Sequence, residues 1–320
     1  MTDDIAGRRV LVTGGAGVIG SELIGLLASR GATILSVDRL PLPGTAPEHV
    51  RHMTADLATA DLDDVTAFKP EVVFHLAATF ERSAESAEFW EQNWSDNVVV
   101  THRLAEALAR TRQTACFVFA SSYLIYRTGQ YLFAAPPLTP AELSETSEMA
   151  PRNLCGSAKL YGEAELAFAR DVLGGGFRTI SARIFRVFGL GSRDVVSRWA
   201  RAAILGEPIE LYHPENRFDY IFSRDVAEGL LRMAIEPRAD GVINLGSGRA
   251  RPVSDVVAAI EDAVGQPFEI RTRSIDEPFE ASEANINRLR DLVGWAPSID
   301  LATGVREIVA HEREALLGAS

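Results

Sequence analysis

The feature that most constrains this chain is an apolar run at residues 8–15 (RRVLVTGG), followed by glycines at 14, 17 and 20 that lead into VIGSELIGLLASRG. The run reads as a buried strand, and the segment after it has helical spacing closed by Gly31. Gly14 permits a tight turn, Gly17 lets backbone amides approach an anion, and Gly20 lets helix and strand pack closely. The first N–H groups of such a helix have no intrahelical acceptor, so Gly17, Val18, Ile19 and Gly20 read as a diphosphate cradle. Asp38 ends the next strand, eighteen residues after Gly20. A carboxylate there accepts ribose hydroxyls and repels a 2′-phosphate, which points to NAD rather than NADP as cofactor. Arg39, beside it, is grouped with the cofactor residues.

The rhythm set by this first unit continues. Apolar strand-like runs at 33–39, 52–57, 71–78, 115–122 and 177–185 alternate with helical patterns, notably over 94–111 and from Pro151 to about 172. Strands joined by helices build parallel βαβ units, and continuous apolar strands need helices on both faces. The expected fold is therefore α/β, a Rossmann-type doubly wound parallel sheet with a smaller C-terminal α/β substrate domain. The expected division is 1–185 for the NAD-binding domain, with a returning strand near 242–246, and 186–320 mainly for substrate. Helices are expected near 225–236, 252–264 and 299–315. A ligand cleft belongs at the carboxyl ends of the strands.

Composition narrows the partners. A net charge of −12 over 320 residues argues against nucleic acid or a membrane surface. No stretch approaches the ~20 apolar residues that span a bilayer. The polar, acidic start MTDDIAGRRV lacks a signal-peptide layout, so a cytoplasmic enzyme is expected. Cys116 and Cys155 form no Cys-x-x-Cys pair, and no metal site is expected.

The Gly-x-x-Gly-x-x-Gly spacing, Asp56-Leu57, His75-Leu76-Ala77-Ala78, Asn97 and Ser121-Ser122 together resemble the extended short-chain dehydrogenase/reductase family. Within it they resemble the NAD-dependent branch of nucleotide-sugar epimerases and dehydratases. Later matches are RIFRVFGLG (183–191), RFDYIFSRDVA (217–227), NLGSG (244–248) and VGWAP (293–297), so the resemblance spans nearly the whole chain. It implies that Asp56 and Leu57 flank the adenine and that Leu76, Ala77 and Ala78 line the dinucleotide. Asn97 is implied on the helix behind the cofactor. It also implies a nucleotide-sugar substrate and a homodimer paired through the helices near 94–111 and 152–172. His75 reads more simply as a core histidine.

The family's catalytic pair is a tyrosine and a lysine four residues apart, one helical turn, so both side chains enter one cleft. Here Lys159 is present, one of only two lysines, but Cys155 stands where the tyrosine is expected. Cys155 is a structural residue of a disabled enzyme, a change introduced into the sequence, or a thiol replacing the phenol. A thiol near an ammonium and a helix start forms thiolate readily and makes a competent base. Ser122 matches the family serine or threonine that hydrogen-bonds the sugar hydroxyl being oxidised. The 4,6-dehydratases follow that residue with Asp-Glu; this chain has Tyr123-Leu124. Tyr123 is either a proton-donating phenol in the cleft or a packing residue. The set implies transient oxidation at carbon 4, removal of the carbon-5 proton by Cys155, and protonation of the departing 6-hydroxyl by Tyr123. The expected reaction is thus 5,6-dehydration of a nucleotide-activated hexose or hexosamine such as UDP-N-acetylglucosamine. The alternatives are a 4-epimerase and a non-catalytic NAD-binding protein.

For the substrate, the loop Thr79-Phe80-Glu81-Arg82 is expected to face the sugar. Arg186 stands where the family has an asparagine that meets the phosphates, and a guanidinium suits the same anion. In the later Arg-Asp-Tyr pattern Phe218 holds the arginine's place, with Arg217 one position early. Arg186, Arg193 and Arg217 are the candidate phosphate ligands.

Overall fold

The computed structural model describes residues 5–44, 46–80, 86–172 and 177–318; Glu81 and Arg82 lie outside them. Seven parallel strands form the main sheet: β1 (Arg9–Thr13), β2 (Thr33–Asp38), β3 (Val50–Thr54), β4 (Val72–His75), β5 (Cys116–Ser122), β6 (Arg178–Ile184) and β7 (Gly241–Leu245). Their spatial order is 7-6-5-4-1-2-3, with the chain reversing direction of travel between β1 and β4. This is the doubly wound order, and it opens a crevice at the carboxyl ends of those two strands. β1, β4 and β5 are almost wholly buried because helices cover both faces. Leu23, Leu27 and Leu230 pack on one side; Leu104, Leu108 and Leu166 pack on the other.

A smaller layer is built around the strand Arg217–Phe222. It pairs in parallel with Arg186–Phe188 and Phe279–Ala284, and antiparallel with Ala250–Pro252. Phe279–Ala284 in turn receives Ala141–Leu143 and Leu132–Phe133. Helices Val195–Leu205, Val253–Val264 and Leu301–Gly318 enclose a core containing Phe188, Val256, Ile260 and Ile308. Asp219 pins this layer to β7. It is buried and accepts from the backbone N–H of Ser247 (2.6 Å), Gly248 (2.9 Å) and Ala284 (3.0 Å) and from the Ser247 hydroxyl (2.7 Å).

Several sequence boundaries move. The fourth strand is Val72–His75 rather than 71–78, which leaves Leu76, Ala77 and Ala78 in the loop after it. The third strand is Val50–Thr54 rather than 52–57. Asp56 accepts from the Ala58 N–H at 2.9 Å and turns the chain, leaving Asp56 and Leu57 in a loop. The helix expected from Pro151 starts at Leu154, because Asn153 caps it, accepting from the Gly156 N–H at 2.8 Å. The helix expected from 94 begins at Ala87, where Ser86 accepts from the Phe89 N–H. It passes through a π-helical stretch, Trp94–Val99, before the regular turns of Val100–Thr111. Among the described residues no helix is long and apolar enough to cross a membrane.

Candidate active site

The glycine turn fits a dinucleotide. Gly14 has φ +74°, and a Cβ there would lie 2.6 Å from the Ala77 nitrogen. A Cβ on Gly20 would lie 2.1 Å from the Gly14 carbonyl oxygen, so the helix seats on the turn only with glycine. Gly17 caps the helix Val18–Ser29 without a side-chain acceptor, and Val18 and Ile19 form its first turn. Asp38 accepts from the Ala16 N–H (3.0 Å) and the Leu40 N–H (3.0 Å), fixing its carboxylate at the lip of the crevice. Arg39 forks onto the buried Asp96 at 2.8 and 3.1 Å, which spends its guanidinium on the protein. Leu76, Ala77 and Ala78 leave β4 directly opposite the turn, and the Ala77 N–H donates to Thr13 at 3.2 Å.

His75 is a core histidine. Its ring nitrogens meet Thr13 (2.7 Å) and Thr101 (3.0 Å), and burial, with a smaller push from Lys159, holds its pKa down at about 3.

Asn97 lies in the π-helical stretch, a geometry often met at functional sites. Its carbonyl accepts from the Thr79 N–H at 2.8 Å, and its amide donates to Thr79 O (3.3 Å) and Asn93 (2.8 Å). Asn93 donates onward to the carbonyl of Leu154 at 3.3 Å. The Cys155 thiol donates to the same Thr79 carbonyl at 3.8 Å. Thr79, Asn97 and Cys155 are therefore joined, so the loop after β4 and the helix Leu154–Val172 share one hydrogen-bonded seam.

Lys159 follows Cys155 by one turn, with its ammonium 4.8 Å above the Phe119 ring. Burial lowers its pKa to about 8, opposed by Cys155. A second turn on, Glu163 accepts from Arg183 (2.7 and 3.0 Å) and from Ser121 (2.5 Å), all buried. This pair bolts the helix to β5 and β6 immediately beneath Ser122. Ser122 ends β5 and accepts from the Leu124 N–H at 3.2 Å.

Tyr123 is buried and stacks on Phe185 with centroids 5.2 Å apart. Its hydroxyl accepts from Arg186 (3.1 Å) and donates to Glu280 (3.4 Å). Burial raises its pKa well above the ordinary phenol value; Arg186 pulls it down and Glu280 pushes it up. Arg186 also lies over the Phe218 ring at 3.8 Å, and its Nε has no partner among the described residues. Since Arg186–Phe188 pairs with Arg217–Phe222, the guanidinium missing at 218 is supplied beside Phe218 from the neighbouring strand. Arg217 is half-buried, paired with Pro252 and Ala281, and Arg193 is exposed ahead of the helix Val195–Leu205; neither joins the Tyr123 group.

Sequence reasoning missed Glu280 and Arg152. Glu280 sits in a strand of mixed polarity and meets Tyr123 only through folding; Arg152 donates to it at 2.9 Å. Arg152 lies three residues before Cys155, and that position is the one signal the sequence offers.

The described architecture is shared with known proteins. MoeE5, solved in complex with UDP-glucose and NAD, superposes with a TM-score of 0.84 at 28% identity, covering 96% of this chain and 99% of that one. The Thermus thermophilus UDP-glucose 4-epimerase, in complex with NAD, gives 0.80 at 26%, covering 96% and 99%. In sequence, the chain is 30% identical over 328 residues to a UDP-glucose 4-epimerase of Mycolicibacterium smegmatis, covering 95% of this chain and 98% of that protein. It is 26% identical to a dTDP-L-rhamnose 4-epimerase of Burkholderia thailandensis, covering 95% and 94%. The model of the NAD dependent epimerase/dehydratase family matches residues 10–246, and the chain belongs to that family.

Proposed function

We propose that this enzyme removes water across carbons 5 and 6 of a nucleotide-activated sugar, with UDP-N-acetylglucosamine as the first substrate to test. The reading rests on one observation. Cys155 occupies the tyrosine position one turn before Lys159, while Tyr123 follows Ser122 in place of a carboxylate. This set and the overall sequence resemble the UDP-N-acetylglucosamine 5,6-dehydratase of tunicamycin biosynthesis, a role in antibiotic biosynthesis and a lyase activity.

When bound, NAD supplies reversible hydride acceptance at carbon 4. Ser122 holds the hydroxyl being oxidised, and the Lys159 charge stabilises negative charge developing beside it. Cys155 removes the acidified carbon-5 proton, and the Thr79 carbonyl receives the hydrogen bond of the resulting thiol. Tyr123, protonated at neutral pH, gives its proton to the departing 6-hydroxyl. Arg186 meets the diphosphate, with Arg193 and Arg217 as outer ligands, and Thr79 faces the sugar. Residues 1–185 form the NAD-binding half and 186–320 mainly the substrate half of a cytoplasmic homodimer. The dimer reading is supported by exposed Trp90 and Trp94, four residues apart, and by exposed Tyr161 and Phe168 on the adjoining helix.

A 4-epimerase is the second reading, favoured by the activities of the curated relatives. Purified enzyme incubated with UDP-N-acetylglucosamine and analysed by mass spectrometry, with proton NMR for the configuration at carbon 4, separates the two. Loss of one water supports the dehydratase; unchanged mass with an inverted carbon 4 supports the epimerase. No change over a panel of nucleotide sugars supports a non-catalytic NAD-binding protein.

A further inference from the structure

Four segments distant in sequence converge on the contact between Tyr123 and Glu280. Tyr123 comes from the turn after β5, Arg186 from its short strand, Glu280 from Phe279–Ala284, and Arg152 from the turn that leads into the helix of Cys155 and Lys159. Glu280 is buried, and its backbone N–H donates to Asn216 at 3.0 Å, which fixes its place on the strand. One carboxylate oxygen accepts from Tyr123 at 3.4 Å and lies 3.9 Å from Arg186; the other accepts from Arg152 at 2.9 Å. A buried carboxylate held this way is costly to desolvate and survives where its partners compensate it.

We infer that Glu280 is the positioning carboxylate for Tyr123, so that the acid–base pair absent from the strand end after Ser122 is assembled across the fold as Tyr123–Glu280. The inference rests on the dehydratase reading above. At rest Glu280 accepts the phenol's single O–H and holds the hydroxyl oxygen in place until the substrate's 6-hydroxyl takes over that hydrogen bond. Its negative charge opposes phenolate formation, an effect that Arg186, 3.1 Å from the hydroxyl, offsets when the proton leaves.

The step balances as follows. The carbon-5 proton passes to Cys155 and its electron pair is first held by the 4-ketone as an enolate, then forms the new C5–C6 π bond. The C6–O bond breaks with its pair on oxygen, and that oxygen takes the Tyr123 proton and departs as water. The phenolate left behind faces Arg186 and regains a proton from Cys155 through solvent. The dinucleotide that the Gly14–Gly20 turn and Asp38 would hold would supply the reversible redox change at carbon 4, so no other oxidant or reductant is needed.

Glu280 therefore serves water loss but not carbon-5 proton removal, and this partition tests the inference. UDP-N-acetylglucosamine is incubated in heavy water with wild type, Glu280→Gln and Tyr123→Phe, each checked for retained fold by circular dichroism. We expect wild type to lose water. In both variants we expect water loss to fall at least thirtyfold, while recovered substrate gains deuterium at carbon 5 at a rate within threefold of wild-type turnover. If Glu280→Gln loses water within threefold of wild type, or loses exchange and elimination in parallel, the inference is overturned. Should Glu280→Gln fail to fold, Glu280→Asp takes its place with the same two outcomes, and retained water loss in Tyr123→Phe overturns the pairing. If wild type itself releases no water, the dehydratase reading fails, and the assignment of Glu280 falls with it.

Discussion

Cys155 and Lys159 stand one helical turn apart, and the interior that receives both pulls the lysine's pKa down to about 8. The folded state thus binds the Lys159 proton less tightly than the unfolded chain, whose lysines titrate near 10.5. Between about pH 8 and 10.5 the unfolded state holds more protons, so this residue's contribution makes stability rise with pH across that window.

Replacing Lys159 by methionine should therefore separate stability from activity. At pH 7 the wild type carries a buried charge that costs about 3 kcal/mol relative to its unfolded value. Lys159→Met should abolish turnover and raise the thermal midpoint by several degrees, as read by calorimetry beside a product assay. A lower midpoint would contradict the desolvation argument.

Cys155→Ser keeps a donor for the Thr79 carbonyl and nearly the same volume, but a hydroxyl is a far poorer base. We expect turnover to fall by about 10²-fold or more, with a midpoint within a few degrees of wild type. Cys116 and Cys155 are both buried, but burial raises the Cys116 pKa to about 11, so inactivation by an alkylating agent at pH 8 should follow labelling of Cys155, read by peptide mass spectrometry.

At the glycine turn, Gly20→Ala drives a methyl group into the Gly14 carbonyl. The backbone has to shift to relieve it, at a cost of at least ~2 kcal/mol. Protein purified from this variant should carry little dinucleotide, measured as nicotinamide released by acid.

The assembly is testable on the helix pair itself. Trp94→Glu with Phe168→Glu should halve the mass seen by light scattering if those helices pair two copies. An unchanged mass would place the interface elsewhere.

Much of this was legible in the sequence because it is local. The glycine turn, the Asp38 strand end and the Cys155-to-Lys159 spacing are each fixed within one βαβ unit or one helical turn, and the structure places them as that arithmetic requires. The helix of Cys155 and Lys159 starts three residues later than the sequence suggests, because Pro151 is the more conspicuous signal although Asn153 makes the cap. Glu280 was illegible for a different reason. It meets Tyr123 across 157 positions, and nothing in a six-residue strand announces a partner so far away. Arg186 shows a third case: read column by column it replaces an asparagine, yet in space it stands beside Phe218, where an arginine had been expected.

The Glu163–Arg183 pair has a consequence for how this enzyme fails. It ties the helix of Cys155 and Lys159 to the strands carrying Ser121 and Arg183, inside a core that water does not reach. The spacing of Cys155, Lys159 and Ser122 is thus tied to buried, hydrogen-bonded strands rather than to a loop. On heating, inactivation should track the global transition without a preceding phase, and an enzyme that has survived folding should be an enzyme that works.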